Sequence, residues 1–333
     1  MADAKPKIAL LVGGTSPERE VSKMSGAGVY KALLSLQYPT VLVDPAYGTN
    51  QPPQTEIFFS AENYSEISNR NCVEAINSEL FDDVEVVFSA LHGKWAEDGT
   101  MQSLLELREL KYTGSKVLAS ALAMDKILSK TIFKEAGVNT AKWMVVTDQN
   151  KNDKKLCELI VSEIGLPCVI KSNDQGSTVG LTIVKEGNKI AEAVQLALKF
   201  SDKALVEEYI PGREITVTIL EGKALPVLEI IPKDGFYDYE RKYTPGMCDY
   251  IVPAEIPDEV LRTIQEQALI AFNSLGCESY GRVDFRLNEN NESFCLEVNT
   301  LPGMTSTSLV PKMAKAVGIS FEELIEKIIN HAL

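Results

Sequence analysis

The chain has 333 residues, 45% of them hydrophobic and 24% charged, with a formal net charge of −14. That length exceeds one ordinary core and predicts two or three domains of a globular protein. The acidic balance argues against nucleic acid or an anionic membrane as a main partner, since both need a basic surface, and leaves room for an anionic small molecule held by local basic contacts.

In chain order, the first third alternates strands and helices. Strands are predicted over Lys7–Val12, Thr40–Val43 and Val84–Ala90, and helices over Glu20–Leu36 and Thr100–Leu110. Such alternation implies a parallel sheet with helices on its faces. The apolar run from Ile8 to Val12 is too short for a signal peptide or a membrane span. The segment 44–66, rich in Pro, Gln, Asn and Tyr, reads as an irregular surface excursion.

The middle third predicts helices over Asp125–Ala136, Lys154–Ile164 and Ile190–Phe200. Strands are predicted over Ala141–Val146, Cys168–Lys171, Leu181–Val184 and Leu205–Tyr209. This is a compact α+β block. The last third predicts strands Ile215–Leu220 and Ala224–Ile230, then a long loop, 231–253, with four tyrosines, three prolines and two glycines. Loops of that length are usually functional or mobile. A helix over Asp258–Leu275, a hairpin over 283–299 and helices near Leu309–Ala316 and Phe321–Ile329 complete the chain.

Three domains are the simplest partition: 1–120, 121–211 and 212–333. There is no internal repeat. The six cysteines (72, 157, 168, 248, 277 and 295) form no CxxC pair. They point to a reducing compartment, and the whole reads as a bacterial-type cytoplasmic protein.

The hairpin raises the first chemical question. Alternation puts Val283, Phe285 and Leu287 on one face, with Phe294, Leu296 and Val298 as the matching apolar set. Asp284, Glu297 and Asn299 then share the opposite face. A solvated sheet face would explain two carboxylates and an amide there. So would a magnesium site, because magnesium takes hard oxygen ligands.

Other stretches carry similar double readings. In GGTSPERE, 13–20, Ser16 as N-cap, Pro17 at N1 and acids in the first turn make a complete helix start. A ligand at the strand's C-terminal end is the alternative. GxGxxG is absent. In LHGKWAEDGT, 91–100, His92 sits at a strand end, where a lone histidine is more often structural. In KSNDQGSTVG, 171–180, Gly176 and Gly180 could wrap phosphate with backbone N–H groups and Lys171 could reach the same oxygens. An ordinary hairpin turn fits as well, and no Walker motif is present. LVEEYIPGRE, 205–214, offers a carboxylate to an adenine amino group, or a solvated edge. YDYERKYTPG, 237–246, offers Arg241, Lys242 and Tyr243 as a lid over phosphate, or a surface loop. In LEVNTLPGMTSTSLVP, 296–311, Gly303 could free an N–H for an oxyanion beside Ser306 and Ser308, or the hydroxyls could cap a helix.

Taken together and in this order, GGTSPEREVS, ALHGKWAEDGT, YTGSKVLASALAMDK, GSTVG, FYDYERKY, GRVDF and LEVNTLPGMTSTSLVP resemble the D-alanine–D-alanine ligase family over about residues 7 to 325. The resemblance implies an ATP-grasp fold, α/β and α+β, with ATP held between two α+β domains beside a Rossmann-like N-terminal domain. It implies that Glu18 holds the first D-alanine's ammonium and links with Ser177 and Tyr243 to lock loop 231–253 over the site. His92 would lie near that substrate's carboxylate. Lys126 and Lys171 would bind ATP phosphates, and Lys242 the γ-phosphate. Glu207 would accept from the adenine amino group, with the backbone of Glu208 and Ile210 nearby, Tyr209 lining the pocket and Glu214 facing the ribose. Arg282 and the Gly303 N–H would form the oxyanion site, and Ser308 would bind the second D-alanine. Asp284, Glu297 and Asn299 would hold two Mg2+ or Mn2+ ions, with Asn299 also near the nucleotide. A homodimer is the family expectation.

The chain has Lys171-Ser172 where many members have Lys-Pro, and Leu301 where a serine is frequent before the proline. Rival readings are a ligase using D-lactate or D-serine and, from another class, a catalytically dead nucleotide-binding protein. Tyr243 with Ser177 and Glu18 favours D-alanine over D-lactate.

Overall fold

The computed structural model describes residues 5–151, 155–233, 246–305 and 308–333. Its first sheet is parallel, in the order β2 (Thr40–Val43), β1 (Ile8–Leu11), β3 (Val86–Ser89), β4 (Lys111–Tyr112). All four residues of β1 are buried, as expected of a strand covered on both faces. Alternation then sends them to two cores. Ile8 and Leu10 pack with Val29 and Leu33 of helix α1 (Arg19–Ser35). Ala9 and Leu11 pack with residues of α3 (Asn69–Ile76) and α4 (Thr100–Leu107). The segment 44–66 is mostly irregular, as expected, apart from a 3-10 turn and the single turn α2 (Thr55–Phe58).

Two further helices, α5 (Val117–Met124) and α6 (Lys126–Glu135), lead into the second sheet. This sheet is antiparallel, in the order β5 (Trp143–Thr147), β8 (Lys203–Glu208), β6 (Cys168–Ser172), β7 (Thr182–Val184). Helices α7 (Leu156–Glu163) and α8 (Ile190–Ala197) cover one face, against Cys168, Ile170, Ala204 and Val206. The intervening residues Lys171 and Glu207 therefore turn to the other face.

The third sheet runs β12 (Cys248–Ile251), β11 (Leu228–Pro232), β9 (Arg213–Leu220), β13 (Tyr280–Leu287), β14 (Ser293–Asn299), with β10 (Lys223–Ala224) paired to β9. Helix α9 (Asp258–Ser274) packs on Ile215, Val217, Ile219, Val283, Phe285 and Leu287. Glu214, Thr216, Arg282, Asp284 and Arg286 face away from it. The chain ends in α10 (Leu309–Ala316) and α11 (Phe321–Ala332). Leu324, Ile325, Ile328 and Ile329 of α11 join the core beneath the first sheet. No helix among the described residues is long and apolar enough to cross a membrane.

Four expectations need correction. The strand expected over Ala224–Ile230 is two, β10 and β11, and the expected loop 231–253 contains β12, which pairs antiparallel with β11. The hairpin carries a β-bulge: Asp284 faces Glu297, but Phe285 faces Cys295, so Leu296 is the extra residue. One extra residue reverses the side-chain phase. Cys295 and Val298 are therefore core residues, while Phe294 and Leu296 are only half-buried. Ser16 is not the N-cap of α1. That position is Glu18, and Ser16 Oγ instead accepts from Glu18 N at 3.1 Å.

The turn before α1 is held by a buried ion pair. Arg19 Nη2 lies 2.6 Å from Asp44 Oδ2, with side-chain exposures of 8% and 0%. Asp44 also accepts from Gly14 N at 3.1 Å. Gly13 and Gly14 both have φ of +78°, and a Cβ on Gly13 would stand 2.1 Å from Asp44 Oδ2, so the turn needs glycine. Asp44→Ala leaves a buried guanidinium without its counter-ion. The expected loss is about 3–5 kcal/mol of unfolding free energy, measured as a lower urea midpoint at unchanged m. A loss below about 1 kcal/mol would mean that the pair is solvated like a surface pair.

Candidate active site

The β1–α1 turn delivers Glu18 to the wall of a cavity of about 1250 Å³, which Glu18, His92, Ser177, Arg282, Gly303 and Ser308 all line. Glu18 meets the second sheet's loop there: Ser177 Oγ donates to Glu18 Oε1. Cβ atoms placed on Gly93 and Gly176 would stand 2.6 and 3.0 Å from Glu18 Oε2. Two glycines from different loops thus make room for one carboxylate.

His92 follows β3 and is 7% exposed. Its Nε2 lies 3.1 Å from Ser25 Oγ and its Nδ1 lies 3.4 Å from Glu97 Oε1. Ser25 Oγ accepts from Met304 N at 3.2 Å, so its own hydrogen is available to Nε2, which leaves the Nδ1 hydrogen for Glu97. This chain ties the histidine to the peptide that follows Gly303. Ser308 Oγ accepts from Thr305 N at 3.0 Å, and a Cβ on Gly303 would stand 3.1 Å from that oxygen.

Arg282 and Asp284, two apart on β13, share a face and form a double hydrogen bond, Nε to Oδ1 and Nη2 to Oδ2, both 2.8 Å. Asp284 also accepts from Thr216 Oγ1 at 2.6 Å and Asn299 Nδ2 at 3.1 Å. Glu297 lies opposite Asp284 in register, and Lys126 Nζ lies 3.3 Å from Glu297 Oε2 and donates to Gln175 O at 2.8 Å.

Among the described residues, none of the other nucleotide candidates lines the cavity, and Lys171, Glu207 and Ile210 are buried. Lys171 Nζ is 2.5 Å from Glu207 Oε2, and Lys130 Nζ is 2.6 Å from Glu207 Oε1. Burial opposes the charged form of Glu207, yet the two ammoniums hold its carboxyl at about 2. Glu208 is exposed and its N–H donates to Lys142 O at 2.9 Å. Ile210 is buried, and its carbonyl accepts from Arg286 Nε at 3.2 Å. Tyr209 N donates to Pro167 O at 3.4 Å. Arg286 Nη1 lies 3.5 Å from Glu214 Oε2. Arg241, Lys242, Tyr243 and Ser306 lie outside the described residues.

As donors for a metal, Asp284, Glu297 and Asn299 fit. All three offer hard oxygens at adjacent ladder positions, which suits Mg2+ or Mn2+. Asn299 would have to turn its amide over to present Oδ1. Among the described residues no cluster of three or more His, Cys, Asp or Glu could hold an ion.

Residues 7–115 match the family model described as D-ala D-ala ligase N-terminus, and residues 132–330 that of the D-ala D-ala ligase C-terminus. The chain belongs to the D-Ala-D-Ala ligase family. The ligase is 43% identical to the D-alanine–D-alanine ligase of Desulforamulus reducens over 98% of each chain. It is 42% identical to that of Geotalea uraniireducens, over 98% of this chain and 95% of the relative. The Bacillus anthracis D-alanine–D-alanine ligase, solved in complex with ATP, superposes with a TM-score of 0.80 at 30% identity, covering 98% of this chain and 97% of that one. VanG, a D-Ala:D-Ser ligase from Enterococcus faecalis, gives 0.79 at 29% identity over 99% and 100%. The fold of this ligase is accordingly ATP-grasp, as its three sheets and the sequence resemblance imply.

Several polar partners in this ligase carried no sequence signal. Nothing in the sequence singles out Ser25, Glu97, Lys130 or Thr216. Each becomes visible only when its partner from another element is in place.

Proposed function

We propose that the protein joins two D-alanine molecules into D-alanyl-D-alanine through a D-alanyl phosphate, releasing ADP and phosphate, for peptidoglycan precursor synthesis in the cytoplasm. One observation carries the reading: a single cavity gathers an acid–hydroxyl pair (Glu18, Ser177), an arginine and a freed backbone turn, with Lys126 beside its wall at Glu297.

In this mechanism Glu18 binds the ammonium of the first D-alanine, and His92 faces its carboxylate. A carboxylate is a poor acyl donor. One of its oxygens therefore attacks the γ-phosphorus of ATP, and ADP leaves. Lys126, Lys171 and Lys242 neutralise the phosphates. Two Mg2+ or Mn2+ ions held by Asp284, Glu297 and Asn299 would supply further positive charge at the transferring phosphoryl group. Glu207 accepts from the adenine amino group, backbone groups of Glu208 and Ile210 meet the ring edge, Tyr209 lines the pocket and Glu214 faces the ribose.

The second D-alanine, its carboxylate on Ser308, then attacks the acyl carbon with its free amine. The oxyanion that forms is met by Arg282 and the Gly303 N–H. Collapse breaks the C–O bond to phosphate and leaves the peptide. Tyr243, through Ser177 and Glu18, would hold the connection between β11 and β12 over the site and so exclude water that would hydrolyse the acyl phosphate. In this reading residues 121–211 and 212–333 form the catalytic domains, residues 1–120 an N-terminal domain, and the protein acts as a homodimer.

Phosphate release with ATP, magnesium and D-alanine tests the specificity. D-alanine alone is expected to sustain release and yield the dipeptide by mass spectrometry. Release that requires added D-lactate or D-serine would move the assignment to a depsipeptide or D-Ala:D-Ser ligase.

A further inference from the structure

Beneath the proposed nucleotide site lies a charged group that the mechanism does not use. Lys130 is 0% exposed, and its ammonium meets Glu207 at 2.6 Å and Thr140 Oγ1 at 2.5 Å. It also stands 5.4 Å from the centre of the Trp143 ring. Thr140 Oγ1 donates in turn to the carbonyl of Cys295 at 2.7 Å. The lysine on α6 thus connects β8 of the second sheet to β14 of the third.

Two lysines share one carboxylate here. Lys171 takes Oε2 and Lys130 takes Oε1, so the trio carries one net positive charge in a nearly dry space. Burying a charge is tolerated when it is paired, and costly when its partner is withdrawn. In the proposed mechanism Lys171 binds ATP phosphates, which would compete with Glu207 for it and so withdraw one partner. A buried carboxylate left alone takes up a proton. A protonated carboxyl is both donor and acceptor and no longer selects a ring amino group.

We propose that Lys130 is a positioning residue for base recognition: it keeps Glu207 an ionised, acceptor-only carboxylate while Lys171 moves to the phosphates. The assignment rests on the proposed meeting of Glu207 with the adenine amino group. Lys130 touches neither substrate. Its effect is a division of labour between two lysines, one surrendered to the nucleotide and one fixed by Thr140 and the Trp143 ring. Lys126, four residues earlier on the same helix, is engaged elsewhere, by Glu297 and Gln175, and does not substitute for it.

The test compares ATP with inosine triphosphate, which has an acceptor oxygen where adenine has the amino donor. D-alanine and magnesium are held constant, and the readout is the ratio of kcat/KM values. The parent is expected to prefer ATP. Lys130→Met is expected to lower that preference by about 10-fold or more, the usual value of a hydrogen bond to a charged group, and to raise KM for ATP while KM for D-alanine stays unchanged. Glu207→Gln is expected to lower the preference on its own, and adding Lys130→Met to it is expected to change the ratio no further.

A parent that uses both nucleotides equally would overturn the adenine role of Glu207 and the inference with it. A parent that discriminates, with an unchanged ratio in Lys130→Met, would overturn the inference alone. So would an equal loss of preference from Lys130→Met in the presence and absence of Glu207, since that is the mark of a general packing defect. If Lys130→Met yields too little folded protein, Thr140→Val takes its place. It withdraws one hydroxyl and keeps the charge. The expected shift is in the same direction and smaller, and an unchanged ratio there overturns the proposal.

Discussion

Asp284→Asn is expected to abolish D-alanine-dependent ATP turnover while leaving the melting temperature close to that of the parent. The substitution is nearly isosteric and keeps an oxygen for Thr216 and for one arm of Arg282. What it removes is charge, at the position where β13 and β14 place two carboxylates opposite each other. Charge stabilisation of a transferring phosphoryl group is worth several kcal/mol, and about 4 kcal/mol is a factor of about 10³ in rate. The steady-state rate of phosphate release, beside a thermal melt, checks this. Retention of more than about a tenth of the parent rate would remove Asp284 from the proposed metal site.

Arg282→Ala is expected to lower kcat by about 10²–10³ with little change in KM for ATP, the usual result of deleting one donor to a tetrahedral oxyanion. The guanidinium is held in place by both oxygens of Asp284, so it is oriented before substrate arrives. Arg282→Lys keeps the charge and loses the fork, and its rate is expected to fall between the two. The carboxylate of Asp284 keeps Thr216 and Asn299 as partners, so the fold should survive either change. A change in kcat below about threefold for Arg282→Ala would exclude a role at the oxyanion.

Much of this was legible in the sequence because alternation works wherever a strand is regular. Residues 282–287 announce their two faces, and the structure keeps Val283, Phe285 and Leu287 inside and Asp284 outside. On β14 the same reasoning holds after the bulge and fails before it. Val298 is in the core and Glu297 and Asn299 lie on the face of Asp284, whereas Phe294 and Leu296 yield the interior to Cys295. A bulge is set by the partner strand, so a perfect alternation of Phe294, Leu296 and Val298 cannot reveal it. β12 stayed hidden for a related reason: four residues gain strand character only by pairing with β11.

The site divides in the same way. The glycines beside Glu18, and the lysine that ends an apolar strand at 171, are local signals. The roles assigned to them came from the order of the motifs rather than from any one of them. Lys130 had no local signal. It lies on α6 with the spacing of a polar face, and only the arrival of Glu207 from β8 shows that this face is buried.

In the proposed mechanism ATP activates the D-alanine carboxylate as an acyl phosphate before the peptide bond forms. The most direct measurement uses D-alanine labelled with oxygen-18 in both carboxylate oxygens. Turnover with ATP and magnesium is followed by mass spectrometry of the released phosphate and of the dipeptide. Transfer of one labelled oxygen to phosphate for each D-alanyl-D-alanine formed is the expected result. Dipeptide formed with unlabelled phosphate would contradict it, because the carboxylate oxygen would then have left by a route that bypasses the acyl phosphate.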